Sequence, residues 1–156
     1  MRLTVCAVGR LRAGPERNLF ADYAARATRA GRSLGLGPVL LHEVEARKGG
    51  GMAVEAALLR RALPEGAHVI ALDERGRCLS SPEFAGLLAR QRDAGRADAA
   101  FVIGGADGLD PSLRAEADFT LSFGPMVWPH MLARVMLCEQ IYRAVSILAG
   151  SPYHRD

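Results

Sequence analysis

Lysine is almost missing from this chain: Lys48 stands alone, and the rest of its 20 basic residues are arginine. Cysteine is scarce, and its count is odd. Cys6, Cys78 and Cys138 show no CxxC spacing, so neither a disulfide framework nor a zinc site is expected, and a reducing compartment is. His42, His68, His130 and His154 form no HxxxH pair and no mixed His/Cys cluster, so no metal is expected. No apolar run approaches the ~20 residues of a membrane span. The opening MRLTVCAVGR reaches Arg10 too soon for a signal peptide, and a cytoplasmic location is the expectation. GxGxxG, GK[ST] and a serine-elbow context are also lacking, which removes the support for dinucleotide, phosphate-loop and triad chemistry.

What remains is a chain of 156 residues, 49% hydrophobic and 24% charged, read as one domain over 1–156. Its charge is uneven. Residues 1–78 carry 13 basic and 8 acidic side chains, whereas residues 79–156 carry 7 and 9. A basic half in a protein of pI about 9.1 suits a polyanionic partner.

Short apolar strands alternate with amphipathic helices along the chain. Strands are expected at 3–9, 39–46, 68–74, 99–105 and 117–123. Helices are expected at 15–31, 52–63, from Ser80-Ser81-Pro82-Glu83 onward, briefly from Asp110-Pro111, and from Pro129 to Ala149. Strands this apolar must be covered on both faces, so the fold class is α/β with a mainly parallel sheet. The last helix is apolar on more than one face: either part of it packs on another chain, or a broad stripe is buried within one.

Ligands of such sheets sit beyond the carboxyl ends of strands. Three ends are suggestive: Ala71 to Glu74, Ile103 to Gly108, and Phe123 to Pro129. The GGADG turn lets a ligand lie on bare backbone, or is only a tight turn. In GPMVWP two prolines fix the path of an apolar loop that covers a ligand or plugs the core. His130 stands at a helix start, where the dipole disfavours protonation. Arg143 is one turn after Glu139 and suits a structural ion pair.

In order and spacing, IGGADG, FTLSF, GPMVWPH, ARVMLCEQIYRA and the terminal PYHR resemble the RlmH (YbeA-like) family of the SPOUT superfamily. The likeness extends to LTVCAVGR and the KGGG loop. It implies a C-terminal trefoil knot, a homodimer, and S-adenosylmethionine as methyl donor for N3 of a pseudouridine in 23S ribosomal RNA within the ribosome. Carried over by position, the donor would meet Leu72, Gly104, Gly105, Gly124, Pro125, Met126, Val127, Trp128 and Pro129. Tyr153, His154, Arg155 and His130 become the catalytic candidates. Relatives have proline and glutamate at Ala106 and Asp107, and threonine at Val127; backbone contacts survive each change. Arg10, Arg12, Arg26, Arg29, Arg47 and Lys48 are then RNA phosphate candidates. The alternative is a catalytically inactive ribosome- or RNA-binding protein with the same fold.

Overall fold

Along LTVCAVG the side chains of Leu3, Val5 and Ala7 project to one side, and those of Cys6 and Val8 to the other. Both sets are apolar, so this strand has to lie between two layers. In a computed structural model, which describes residues 1–46 and 50–154, it does. The elements follow in the order β1 (Arg2–Val8), α1 (Pro15–Gly31), β2 (Val39–Val44), α2 (Gly51–Ala62), β3 (His68–Cys78), α3 (Ser81–Asp93), β4 (Asp98–Ile103), α4 (Pro111–Glu116), β5 (Phe119–Ser122) and α5 (His130–Leu148), with one 3-10 turn at Arg32–Leu34. The strands form a single parallel sheet in the order β2-β1-β4-β3-β5.

One layer joins Leu3, Val5, Ile70 and Phe101 of the sheet to Phe20 of α1, Phe84 and Leu88 of α3, and Leu137 and Ile141 of α5. The other joins Cys6, Val8, Ala71 and Val102 to Ala56 and Leu59 of α2 and Leu113 of α4. The alternation along each strand therefore assigns three helices to one face and two to the other. Local signals set the helix starts. Ser80 and Glu83 complete a capping box, each side chain bonding the other's backbone N–H, an arrangement that contributes about 1 kcal/mol. The Asp110 carboxylate accepts from the Ser112 N–H and opens α4.

One expectation needs more than a shift of boundary. The third strand does not end at Glu74: β3 continues to Cys78, and the Arg75-Gly76 turn is an irregularity inside it. Leu72 and Arg77 both register with Leu121, so the residues between them are looped out. The Asp73 carboxylate closes that loop by accepting from the Arg75 N–H at 2.9 Å. Elsewhere the corrections are shifts of one or two residues at element ends, as with β2 ending at Val44 and α5 at Leu148.

The long last helix packs on α1 and α3, and this accounts for most of its apolar surface: Val135, Leu137, Ile141 and Val145 are buried within the chain. Leu132 stays exposed, and Met136 lines a groove. No helix among the described residues is long and apolar enough to cross a membrane.

Candidate donor cleft and catalytic residues

Because the five strands run in parallel, the irregularity within β3 and the chain segments leaving β4 and β5 meet at one end of the sheet. They enclose a cleft of about 270 Å³. Its walls come from Leu72 to Arg75, from Ile103 to Leu109, from Phe123, Gly124 and Met126 to Trp128, and from His130 and Ala133 in the first turns of α5. The three strand ends singled out in the sequence are thus brought together. Of the residues that the resemblance assigns to the donor, Pro125 and Pro129 are not in this wall. Both are exposed and bracket the segment that is.

The GGADG turn is folded tightly. The Gly108 N–H donates to the Gly105 carbonyl at 3.2 Å. A Cβ at Gly104 would lie 2.2 Å from the Gly108 carbonyl oxygen and 2.8 Å from the Leu109 nitrogen, so no side chain fits between the two legs of the turn. Across the cleft, the Ser122 hydroxyl accepts from the Gly124 N–H at 3.0 Å and lies 3.1 Å from the Glu74 and Gly124 carbonyls. It ties the start of the apolar loop to the irregularity within β3. Val127 and Met126 are 81% and 68% exposed, so the loop covers the cleft's rim and does not plug the core.

Charge around the cleft is mostly committed. The Asp73 carboxylate pairs with Arg114 at 2.9 Å, and Glu74 faces Arg75 at 4.0 Å. Beneath the glycine turn lies Glu55 of α2, both of its oxygens 3.0 Å from where a Gly105 Cβ would be. Burial, and secondarily Asp107, push this carboxyl above its ordinary value, while the Gly105 N–H opposes the shift. Glu55 was not singled out in the sequence. The available signal was an acid one turn before Leu59, beside the apolar face of α2 and apart from the basic pair Arg60-Arg61 at the helix end.

His130 is half-buried in the cleft wall. Burial, then the charge of Arg134, hold its imidazole below the usual histidine value, which favours the neutral form. The dipole expected from sequence is not what the structure makes prominent.

Tyr153 lies elsewhere. The Tyr153 hydroxyl donates to the Glu139 carboxylate at 3.0 Å. Its ring stands 4.5 Å from that of Tyr142, with the Arg143 guanidinium 4.9 Å over it. Burial and Glu139 raise the Tyr153 phenol well above its ordinary value. Glu139 also binds Arg143 at 2.6 Å, the structural ion pair that the spacing suggests. Glu139 is nine residues beyond His130 on α5, about 14 Å along the axis at 1.5 Å per residue. Tyr153 is therefore not brought to the cleft of its own chain. His154 is half-buried, and Arg155 lies outside the described residues.

Among the RNA candidates, Arg10 and Arg12 are exposed in the loop after β1, and Arg10 pairs with Glu45 at 3.2 Å. Arg26 pairs with Asp22 one turn away, and Arg29 is exposed. Arg47 and Lys48 lie outside the described residues.

A parallel α/β sheet with a glycine-lined cleft beyond its strand ends has the usual form of a small-molecule site, in a chain without phosphate-loop signatures. Comparison with known proteins narrows the class. Residues 1–154 match the family model described as "Predicted SPOUT methyltransferase", and the chain belongs to that family. It is 68% identical over 156 residues to "Ribosomal RNA large subunit methyltransferase H" of Roseobacter denitrificans, covering 100% of both chains. The protein of the same name in Paracoccus denitrificans is 65% identical, again over 100% of both. A crystal structure described as a probable methyltransferase from Bordetella pertussis superimposes with a TM-score of 0.54 at 18% identity, covering 92% of this chain and 94% of that one, which shows the shared fold.

Proposed function

We propose that the whole chain is one S-adenosylmethionine-dependent methyltransferase domain, with a C-terminal trefoil knot, that modifies N3 of a pseudouridine in 23S ribosomal RNA in the cytoplasm. The observation that carries this reading is the glycine cradle: the cleft's β4 leg has no room for a side chain at Gly104, in a chain whose full-length relatives are named as large-subunit methyltransferases. The residues present suit the donor. Gly104 and Gly105 offer backbone polar groups to an adenine edge. Leu72, Met126 and Trp128 offer apolar surface to its faces, and Asp73 and Glu74 stand at the rim.

When bound, the donor supplies an electrophilic sulfonium methyl group. The chain's task is then to hold the acceptor nitrogen in line with that methyl and to exclude competing geometries, which accounts for much of the rate of such a displacement. N3 must also lose a proton. His130 is the first candidate to accept it at a ring nitrogen, a role supported by its position in the cleft wall and by burial that favours its neutral form. His154 is the second candidate, with Arg155 stabilising developing negative charge and Tyr153 stacking on a base. Arg10, Arg12 and Arg29 face solvent as phosphate contacts.

The reading includes a homodimer. A groove of about 580 Å³ lies between α1, α3, β5 and α5, lined by Leu19, Tyr23, Leu79, Phe123, Val135 and Met136. Together with exposed Leu132, one turn before Met136 on α5, it forms an apolar face that a second copy would cover. With a second copy there, the tail of one chain can serve the cleft of the other, whereas Tyr153 is held away from the cleft of its own chain. Light scattering should give twice the 16.7 kDa of one chain; the mass of a monomer would remove the dimer and the shared site together.

The function itself is tested by methyl incorporation. Purified protein, labelled donor and ribosomes lacking the modification should yield label at one nucleotide of the large-subunit RNA, and none with ribosomes already modified. Donor binding without transfer to any ribosomal particle would leave an RNA-binding protein as the better description.

A further inference from the structure

The side chain of Arg134, on α5, has no exposed surface at all. One of its terminal nitrogens donates to the Gly9 carbonyl at 2.9 Å and to the Glu43 carboxylate at 3.2 Å; the other donates to the Val8 carbonyl. The same Glu43 oxygen accepts from the Leu11 N–H at 2.6 Å. One guanidinium and one carboxylate therefore join the start of α5, the last residues of β1, the loop that follows it, and β2. Among the described residues the Arg134 Nε finds no partner. A buried cation satisfied this incompletely is a poor device for stability, since apolar side chains of similar size hold such positions as well or better.

Its location suggests another use. Arg134 follows His130 by one helical turn, so both side chains are on one face of α5. That face meets Gly9: a Cβ there would be 3.7 Å from the Arg134 terminal nitrogen and 3.8 Å from the His130 Nε2. The carbonyls that Arg134 holds thus belong to the segment against which the imidazole rests, and Arg10 and Arg12 follow directly in the chain. We infer that Arg134 is a positioning residue for methyl transfer, its buried guanidinium fixing His130 and the basic loop after β1 in one arrangement. This rests on the role proposed for His130.

The charges that bear on His130 can be named. Arg134 comes from its own helix and Glu43 from β2. Arg10, paired with Glu45, and Arg12 come from the loop after β1. Across the cleft are Asp73, paired with Arg114, then Glu74 with Arg75, and Asp107. A cationic neighbour disfavours the imidazolium, so deleting the Arg134 charge should move the His130 titration upward.

The test uses full-length protein with labelled histidines, His130 being assigned by its loss in His130→Asn. Arg134→Met should raise the His130 titration midpoint seen by NMR. It should lower kcat for ribosome methylation about 100-fold, as expected for a misplacement of about 1 Å, and leave donor affinity within about threefold. Arg134→Lys keeps the charge and loses the two-pronged grip; it should restore the midpoint but not kcat. An unchanged midpoint in Arg134→Met, or a kcat loss matched by an equal loss of donor binding, would overturn the inference. Should the methionine variant not fold, Arg134→Lys decides alone: a lowered kcat at native KM supports the role, and a native kcat overturns it. If the native chain transfers no methyl, the proposed function fails and the transfer role with it, whereas a failure confined to the variants' midpoint and kcat leaves that function standing.

Discussion

Replacing Gly104 with alanine should abolish measurable binding of the methyl donor, while Gly108→Ala, four residues on, should leave it nearly intact. At Gly104 the added Cβ would sit 2.2 Å from the Gly108 carbonyl oxygen and 2.4 Å from its carbon. Both are backbone atoms, so relief requires the two legs of the turn to separate by about 1 Å to reach an ordinary contact. A shift of that size spoils every backbone contact that the cradle offers, so donor binding falls below detection. Folding should suffer by about 1–3 kcal/mol, the usual cost of overpacking. At Gly108 nothing stands within 4 Å of the added atom, but φ is +86°, so the cost is backbone strain alone, about 1–2 kcal/mol. Trp128 is the one tryptophan of the chain and lines the cleft, so its fluorescence reports donor binding directly. Native affinity in Gly104→Ala would move the donor away from this turn.

That turn also shows how far the sequence carries. IGGADG marks a break after an apolar strand, and periodicity alone places the strand, its burial on both faces and the parallel sheet. The glycine pattern cannot show which neighbour forbids a side chain, because Gly108 and Glu55 approach Gly104 and Gly105 only after the chain has folded back. The three strand ends were readable because parallel topology sends them to one edge whatever the loops contain. Arg134 and Glu43 were missed for the opposite reason. Each is an ordinary charged residue in its own segment, and their contact joins positions 91 apart in the chain, a relation without local signature. β3 was cut short for a similar reason: Arg75-Gly76 reads as a turn, and only β5, by pairing with both Leu72 and Arg77, makes it an irregularity within a strand.

A chain ending at Ser151 should bind the donor normally and transfer no methyl. Within one chain, Tyr153 is held by Glu139, Tyr142 and Arg143, about two and a half to three and a half turns of α5 beyond His130. None of these residues is in the wall of the cleft, so removing the tail leaves the glycine cradle, Leu72 and the Gly124–Trp128 loop untouched. The expected split is donor affinity within about twofold of native against a transfer rate lower by at least 100-fold, the scale on which losing both the orientation and the proton acceptor of an acceptor base is felt. Tyr153→Phe separates anchoring from chemistry, since it deletes only the hydroxyl that donates to Glu139 while the Glu139–Arg143 pair and the ring contact remain. A hydrogen bond to a charged group contributes about 1.5–3 kcal/mol, so this variant should loosen the tail and lower kcat by about tenfold, with no change in donor binding. His154→Ala, with Tyr153 still anchored, should approach the truncation in rate if the imidazole takes part in transfer. Equal losses of donor binding and transfer in the truncated chain would mean that the tail supports the fold of the cleft, and the active-site role of residues 153–155 would be wrong. Loss of transfer alone, recovered by mixing the truncated chain with a full-length chain carrying Gly104→Ala, would show that one protomer's tail completes its partner's cleft.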